Sequence, residues 1–171
     1  MNKKMDKNIA LVGFMGSGKT AVGKRLAKKS NLKFVDLDDL IEAKEGMKIT
    51  QIFKDKGEPH FRKVEKEIVL ETAKEKGLVI ACGGGVVLDK ENVNALKENS
   101  IMIYLKVSPE LILERTRHYA HRPLLNVDNP KKKIEELLEY RKEYYEQAGY
   151  TIDTSNSNID GVVNKILEVI R

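Results

Sequence analysis

The feature that most constrains the fold is a junction near the start of the chain. The apolar run Ile9-Ala10-Leu11-Val12 gives way to Gly13-Phe14-Met15-Gly16-Ser17-Gly18-Lys19-Thr20 and then to a helix-like stretch from Ala21 to Lys29. The octapeptide fits G-x-x-x-x-G-K-[ST] at every fixed position, in the strand, loop and helix context that this pattern needs. Its glycines let the backbone curl so that successive N–H groups point inward at phosphate oxygens, and the helix start adds the positive end of its dipole. Lys19 is placed to reach the β- and γ-phosphates, and the Thr20 hydroxyl to take a position on Mg²⁺. The expected nucleotide-binding residues are therefore Gly16, Ser17, Gly18, Lys19, Thr20 and Ala21. The other reading of the same residues is a Gly-rich turn with no ligand.

Beyond this junction, short β-branched runs alternate with amphipathic helical segments, and no linker or low-complexity tract interrupts them. Strands are expected at residues 33–36, 78–82, 101–105 and 150–153. Asp39 and Glu42 have capping-box spacing for a short helix ending at Gly46. Thr50 is the expected cap of a helix over 51–56, closed by Gly57, with a longer helix over 58–76 ended by Gly77. Asp89, Ser108-Pro109 and Asn129-Pro130 open further helices, and 161–170 forms the last. Five strands alternating with helices predict an α/β fold with a parallel sheet covered on both faces. Ligands of such sheets sit beyond the carboxyl ends of the strands.

That rule gathers the unusual polar positions into one crevice. Asp36 and Asp38 follow the second strand, and Gly83-Gly84-Gly85 follows the third. If the chain stays extended, both aspartates point to the same side. One can then support Mg²⁺ and the other meet an acceptor hydroxyl, the two tasks phosphoryl transfer gives to carboxylates. The alternative is that one of them caps the next helix, although Asp39 can do so. A tight turn needs one glycine of the triplet, whereas three in a row suggest close approach of a ligand.

Composition removes other classes. At 171 residues the chain fits one domain, residues 1–171, able to bury about 70% of its unfolded surface without a staple. The single cysteine, Cys82, lies in an apolar run and reads as a buried, inert thiol; no Cys/His cluster suits zinc. The net charge of +5 comes from 31 basic and 26 acidic residues, mostly interleaved, and there is no Trp, which argues against nucleic acid. The one basic block, Lys131-Lys132-Lys133, falls in the first turn of a helix, where it opposes the dipole for no reason visible in the sequence. The polar start, without a signal-peptide hydrophobic region, and the lack of any apolar run long enough for a bilayer predict a cytoplasmic protein.

Taken together, the motifs resemble those of bacterial shikimate kinases over almost the full length. The phosphate loop and the Asp36-x-Asp38 pair match. Gly57-Glu58-Pro59-His60-Phe61-Arg62-Lys63-Val64-Glu65 is similar to that family's G-E-x-x-F-R-x-x-E, and Gly83-Gly84-Gly85 to its glycine triplet. Arg122-Pro123-Leu124-Leu125 resembles its lid motif, with Arg115 seven residues earlier, and Arg141 to Tyr145 resembles R-x-P-L-Y. The resemblance implies a three-layer phosphate-loop kinase fold of nucleoside-monophosphate-kinase type, strand order 2-3-1-4-5. It also implies a substrate-binding helical region near 37–65 and a mobile lid near 115–128. MgATP and shikimate would give shikimate 3-phosphate and ADP, on the route to chorismate and the aromatic amino acids, in a monomer with no nucleic-acid or membrane partner.

The resemblance also carries residue roles. Lys19, Asp38 and Arg122 would be catalytic, with Asp38 as base. Asp38, Arg62, Gly84 and Arg141 would hold shikimate, its carboxylate between the two arginines. Arg115 would lie near the adenine and Arg122 over the phosphates, while Thr20 and Asp36 would serve Mg²⁺. Spacing alone leaves each arginine as readable as an exposed helix charge. Ala21, Ala81, Glu143 and the segment 153–158 depart from the usual pattern, which bears on Mg²⁺ support and adenine contacts rather than on transfer. His60, His118 and His121 match no role. A kinase of gluconate or of a nucleoside monophosphate, and a non-catalytic nucleotide-binding module, are the other readings. The carboxylate clamp speaks against the first, and the retention of Lys19, Asp38 and Arg122 against the second.

Overall fold

A computed structural model describes residues 7–117 and 125–171. Five strands form one sheet: β1 (Asn8–Val12), β2 (Lys33–Asp36), β3 (Leu78–Ala81), β4 (Ser100–Lys106) and β5 (Tyr150–Asp153). Their order is β2-β3-β1-β4-β5, with every neighbouring pair parallel. β1 is buried along its whole length, as a central parallel strand covered on both faces must be. Its alternate residues serve different cores. Ile9 and Leu11 pack with Val22 and Leu26 of α1 (Lys19–Ser30) and with Val162, Val163 and Ile166 of α7 (Ile159–Val169). Ala10 and Val12 pack on the opposite face with α2 (Leu37–Glu45), α3 (Ile49–Thr72), α4 (Lys90–Asn99), α5 (Pro109–Thr116) and α6 (Pro130–Glu146). The result is the expected three layers.

The caps read from the sequence mostly hold. The side chains of Asp89, Ser108 and Asn129 accept from the N–H groups of Glu91 (2.8 Å), Leu111 (3.4 Å) and Lys132 (3.1 Å). The lysines opening α6 are balanced locally: Lys131 lies 3.7 Å from Glu110 and 4.0 Å from Glu135, and Lys132 4.0 Å from Glu136. Each such exposed pair is worth little, but the set offsets the misplaced charge.

Several expectations around the second and third helices change. α2 begins at Leu37, not Asp39, because Asp36 is the cap and accepts from the Asp38 N–H at 3.0 Å. Asp38 therefore sits in the first helical turn, and the extended-chain argument for pairing it with Asp36 does not hold. Glu42 does not close a capping box with Asp39; it accepts from the Ile49 N–H at 3.0 Å and so caps α3, which starts before Thr50. The two helices expected on either side of Gly57 are both present within α3, parted by a kink at which Gly57 has the non-helical φ 83° and ψ 169°. α3 then stops at Thr72, short of the expected 76. There the chain tightens into i→i−3 bonds, and Asn8 Nδ2 donates to the Glu75 carbonyl at 2.8 Å.

Candidate active site

Two adjoining cavities open at the carboxyl ends of β1, β2 and β3. The first, of about 680 Å³, is lined by Gly16, Gly18, Lys19, Thr20, Ala21, Asp36 and Arg115 among others. Gly18 occupies the cap position of α1 at φ 89°, where a side chain would be strained and where none competes for the helix's first N–H groups. Lys19 folds back over the loop, its Nζ donating to the carbonyls of Gly13 (2.7 Å) and Phe14 (2.9 Å). Thr20 Oγ1 donates to Asp36 Oδ2 at 2.8 Å. Asp36 thus reaches the phosphate loop and caps α2 at once, so capping and function are not alternatives for it. Arg115 Nη1 donates to the Gly16 carbonyl at 3.0 Å, tying the end of α5 to the loop.

The second cavity, of about 530 Å³, brings together Asp38, Arg62, Glu65, Gly83, Gly84, Gly85 and Arg141, with Phe53 and Phe61 as apolar wall. The two arginines expected to form a clamp do converge, although they lie on α3 and α6. Arg62 Nη1 donates to Glu65 Oε1 at 2.8 Å. Arg141 is only 4% exposed, lies 5.6 Å from the Phe14 ring centroid, and its buried Nε has no hydrogen-bond partner. A buried guanidinium nitrogen without a partner is costly unless a ligand completes it. The cavities share Met15, Asp38, Gly83 and Gly84, so the point where they meet is marked by a carboxylate and by glycine backbone.

The glycine triplet has a reason other than a left-handed turn, since none of its members has positive φ. A Cβ on Gly85 would lie 2.5 Å from Arg62 Nη1, and one on Gly83 would lie 3.1 Å from both Asp38 Oδ1 and Glu65 Oε2. The site's own side chains press against this backbone, a reason beyond the tight turn and the close ligand approach expected from the sequence.

Two residues at the site were not singled out as candidates. Glu65 is 2% exposed, and its pKa is raised: burial dominates, Arg62 opposes it, and Asp38 adds to it. Its spacing of three from Arg62 places both on one helix face, a signal the sequence carried. Tyr145, four residues after Arg141, donates its hydroxyl to the Gly84 carbonyl at 2.6 Å. Burial also governs Cys82 behind the loop, whose thiol is pushed up to about 12 and is inert as expected. His60 gains a structural place, its Nε2 lying 2.9 Å from Glu45 Oε2. Arg122, His118 and His121, with residues 118–124 of the expected lid, lie outside the described residues.

A phosphate loop at the head of a 2-3-1-4-5 parallel sheet, with a second cavity meeting it at a carboxylate, defines a small-molecule kinase of the phosphate-loop class. The family model described as shikimate kinase matches residues 15–171. Shikimate kinases of Caldanaerobacter subterraneus subsp. tengcongensis and Thermodesulfovibrio yellowstonii are each 46% identical to this chain. The first match covers 94% of both chains, the second 95% of this chain and 94% of the other. The structure of the Acinetobacter baumannii shikimate kinase in complex with shikimate superposes with a TM-score of 0.94 at 41% identity, covering 98% of this chain and 94% of that one. The chain belongs to the shikimate kinase family.

Proposed function

We propose that this ATP-dependent kinase transfers the γ-phosphoryl group of ATP to the 3-hydroxyl of shikimate, giving shikimate 3-phosphate and ADP. The observation that carries the reading is the convergence of Arg62 and Arg141 in a cavity joined to the phosphate-loop cavity at Asp38. A carboxylic acid acceptor asks for planar guanidinium donors, which make paired charge-assisted bonds. Arg62 is oriented by Glu65 and Glu58, and Arg141 brings an unpartnered buried donor. With the carboxylate held there, a ring hydroxyl reaches the shared boundary, where Asp38 aligns it and takes its proton late in the transfer. Lys19 exchanges loop carbonyls for phosphate oxygens, and the loop N–H groups with Lys19 stabilise the charge spread over the transferred group. Arg122, on the lid segment, would add charge and help exclude water.

Thr20 and Asp36 suit Mg²⁺. They offer an adjacent hydroxyl and carboxylate, both hard oxygen donors, and among the described residues no cluster of three or more His, Cys, Asp or Glu could hold a metal by itself. Such a partial donor set fits an ion that takes its remaining ligands from phosphate and water; bound, it would neutralise phosphate charge. Arg115 is the residue next to the loop for the adenine side. No helix among the described residues is long and apolar enough to cross a membrane.

The test is selective loss of acid recognition. Arg141→Ala should cost about 2 to 4 kcal/mol in kcat/KM for shikimate. The carboxamide of shikimate, poor with the wild type, should be almost indifferent to the change. Equal losses with acid and amide would remove the clamp from the account.

A further inference from the structure

Tyr145 has no part in the roles assigned above, yet it is the largest fully buried side chain among the described residues and ends in a hydrogen bond to the acceptor cavity's backbone. Its ring is stacked on Tyr104, centroids 5.0 Å apart and planes 14° from parallel, so the hydroxyl is held in place rather than free to search. What it holds is the Gly84 carbonyl, at 2.6 Å. The peptide that carries this oxygen joins two glycines. With no Cβ on either side, such a peptide can rotate at little steric cost. A trans peptide is planar, its C=O and N–H pointing in opposite directions, so fixing the Gly84 oxygen also fixes the direction of the Gly85 N–H.

The neighbours of that peptide are the acid-binding residues. The Cβ position of Gly85 lies against the Arg62 guanidinium, and that of Gly84 lies 3.5 Å from Arg141 Nη1. Arg141 and Tyr145 are four residues apart on α6 and so share a helix face. One face of one helix thus supplies both a guanidinium and the clamp on the backbone beneath it. Burial raises the phenol's pKa, against the opposing effect of Arg141, which keeps it a donor at neutral pH.

We propose that Tyr145 is a positioning residue for the acceptor acid: its hydroxyl selects one orientation of the Gly84–Gly85 peptide, and so fixes the floor of the cavity that Arg62 and Arg141 flank. The inference rests on shikimate being the acceptor. Tyr145→Phe keeps the ring and the stack and removes the hydroxyl, with its bond to the Gly84 carbonyl and its interaction with Arg141. Its KM for shikimate should rise about tenfold, the equivalent of one hydrogen bond, while kcat and the KM for ATP stay within about twofold. Tyr104→Phe, which removes the hydroxyl of the other ring in the stack, should leave both KM values unchanged. A rise of both KM values together in Tyr145→Phe, or an unchanged KM for shikimate in the folded variant, would overturn the proposal while leaving the acceptor assignment intact. Absence of wild-type turnover with shikimate would overturn both. Should Tyr145→Phe not fold, the wild type labelled with ¹⁵N-glycine decides: a pinned peptide gives one sharp Gly85 amide resonance that moves on adding shikimate, and a split, exchange-broadened or unmoved resonance overturns the proposal.

Discussion

Asp38 and Glu65 lie against the same glycine, Gly83, yet their surroundings give them different tasks. Glu65 is almost fully buried and bonded to Arg62, which suits an orienting counter-charge. Asp38 lines both cavities, and in the proposed function it is the carboxylate that meets the acceptor hydroxyl. Asp38→Asn should therefore cut kcat by about a hundredfold or more and leave ATP affinity near normal. Steady-state kinetics with nucleotide binding measured separately would check this, and near wild-type turnover would remove Asp38 from the chemistry. Legibility differed sharply between residues at this scale. Lys19, Thr20 and the glycines could be read from a local pattern because a phosphate-binding loop is built by consecutive residues. Arg62 and Arg141 could not be placed together by spacing, since their meeting depends on how α3 and α6 cross the sheet. Tyr145 was hidden for the same reason: the partner of its hydroxyl is a backbone carbonyl sixty-one positions away.

At the scale of elements, α2 and α3 form the wall of the acceptor cavity, and their junction departs most from expectation. The sequence showed turn formers at Gly46 and Gly57, and both positions are indeed bends. It did not show that Glu42 would cap α3, because that depends on contacts between the two helices. One such contact is a clasp across the kink. Glu45 on α2 accepts from Lys56 at 2.7 Å and pairs with His60 at 2.9 Å, just before and just after Gly57. The hydrogen bonds from Lys56 and His60 hold the Glu45 carboxyl below the usual carboxylate range. A depressed carboxylate pKa contributes stability that is present above the unfolded value and lost as pH falls through the folded one. Glu45→Gln should accordingly lower Tm at pH 7, and the difference from wild type should close as pH falls below 4.5. Thermal melts across that range would check it; a difference independent of pH would mean that the clasp is not electrostatic.

For the whole molecule, the sheet accounts for why separate motifs share one place. β1, β2 and β3 are parallel neighbours, so the segments that leave their carboxyl ends emerge side by side. The five strands and the covering of both sheet faces were legible in the alternation of short β-branched runs with helical segments, whereas the strand order followed only from the family resemblance. α5 and α6, which flank the segment carrying Arg122, pack together and bring Arg115 to the phosphate loop and Arg141 to the acceptor cavity. Nucleotide and acceptor sites are thus linked through two helices and the chain between them. The central claim, that the second cavity selects shikimate for phosphorylation, is tested most directly by the initial rate of ADP release from MgATP. Shikimate, gluconate and nucleoside monophosphates would each be offered as acceptor at equal concentration. The account predicts release above the hydrolysis background with shikimate and none with the others. Release with a nucleoside monophosphate, or background rates throughout, would contradict it.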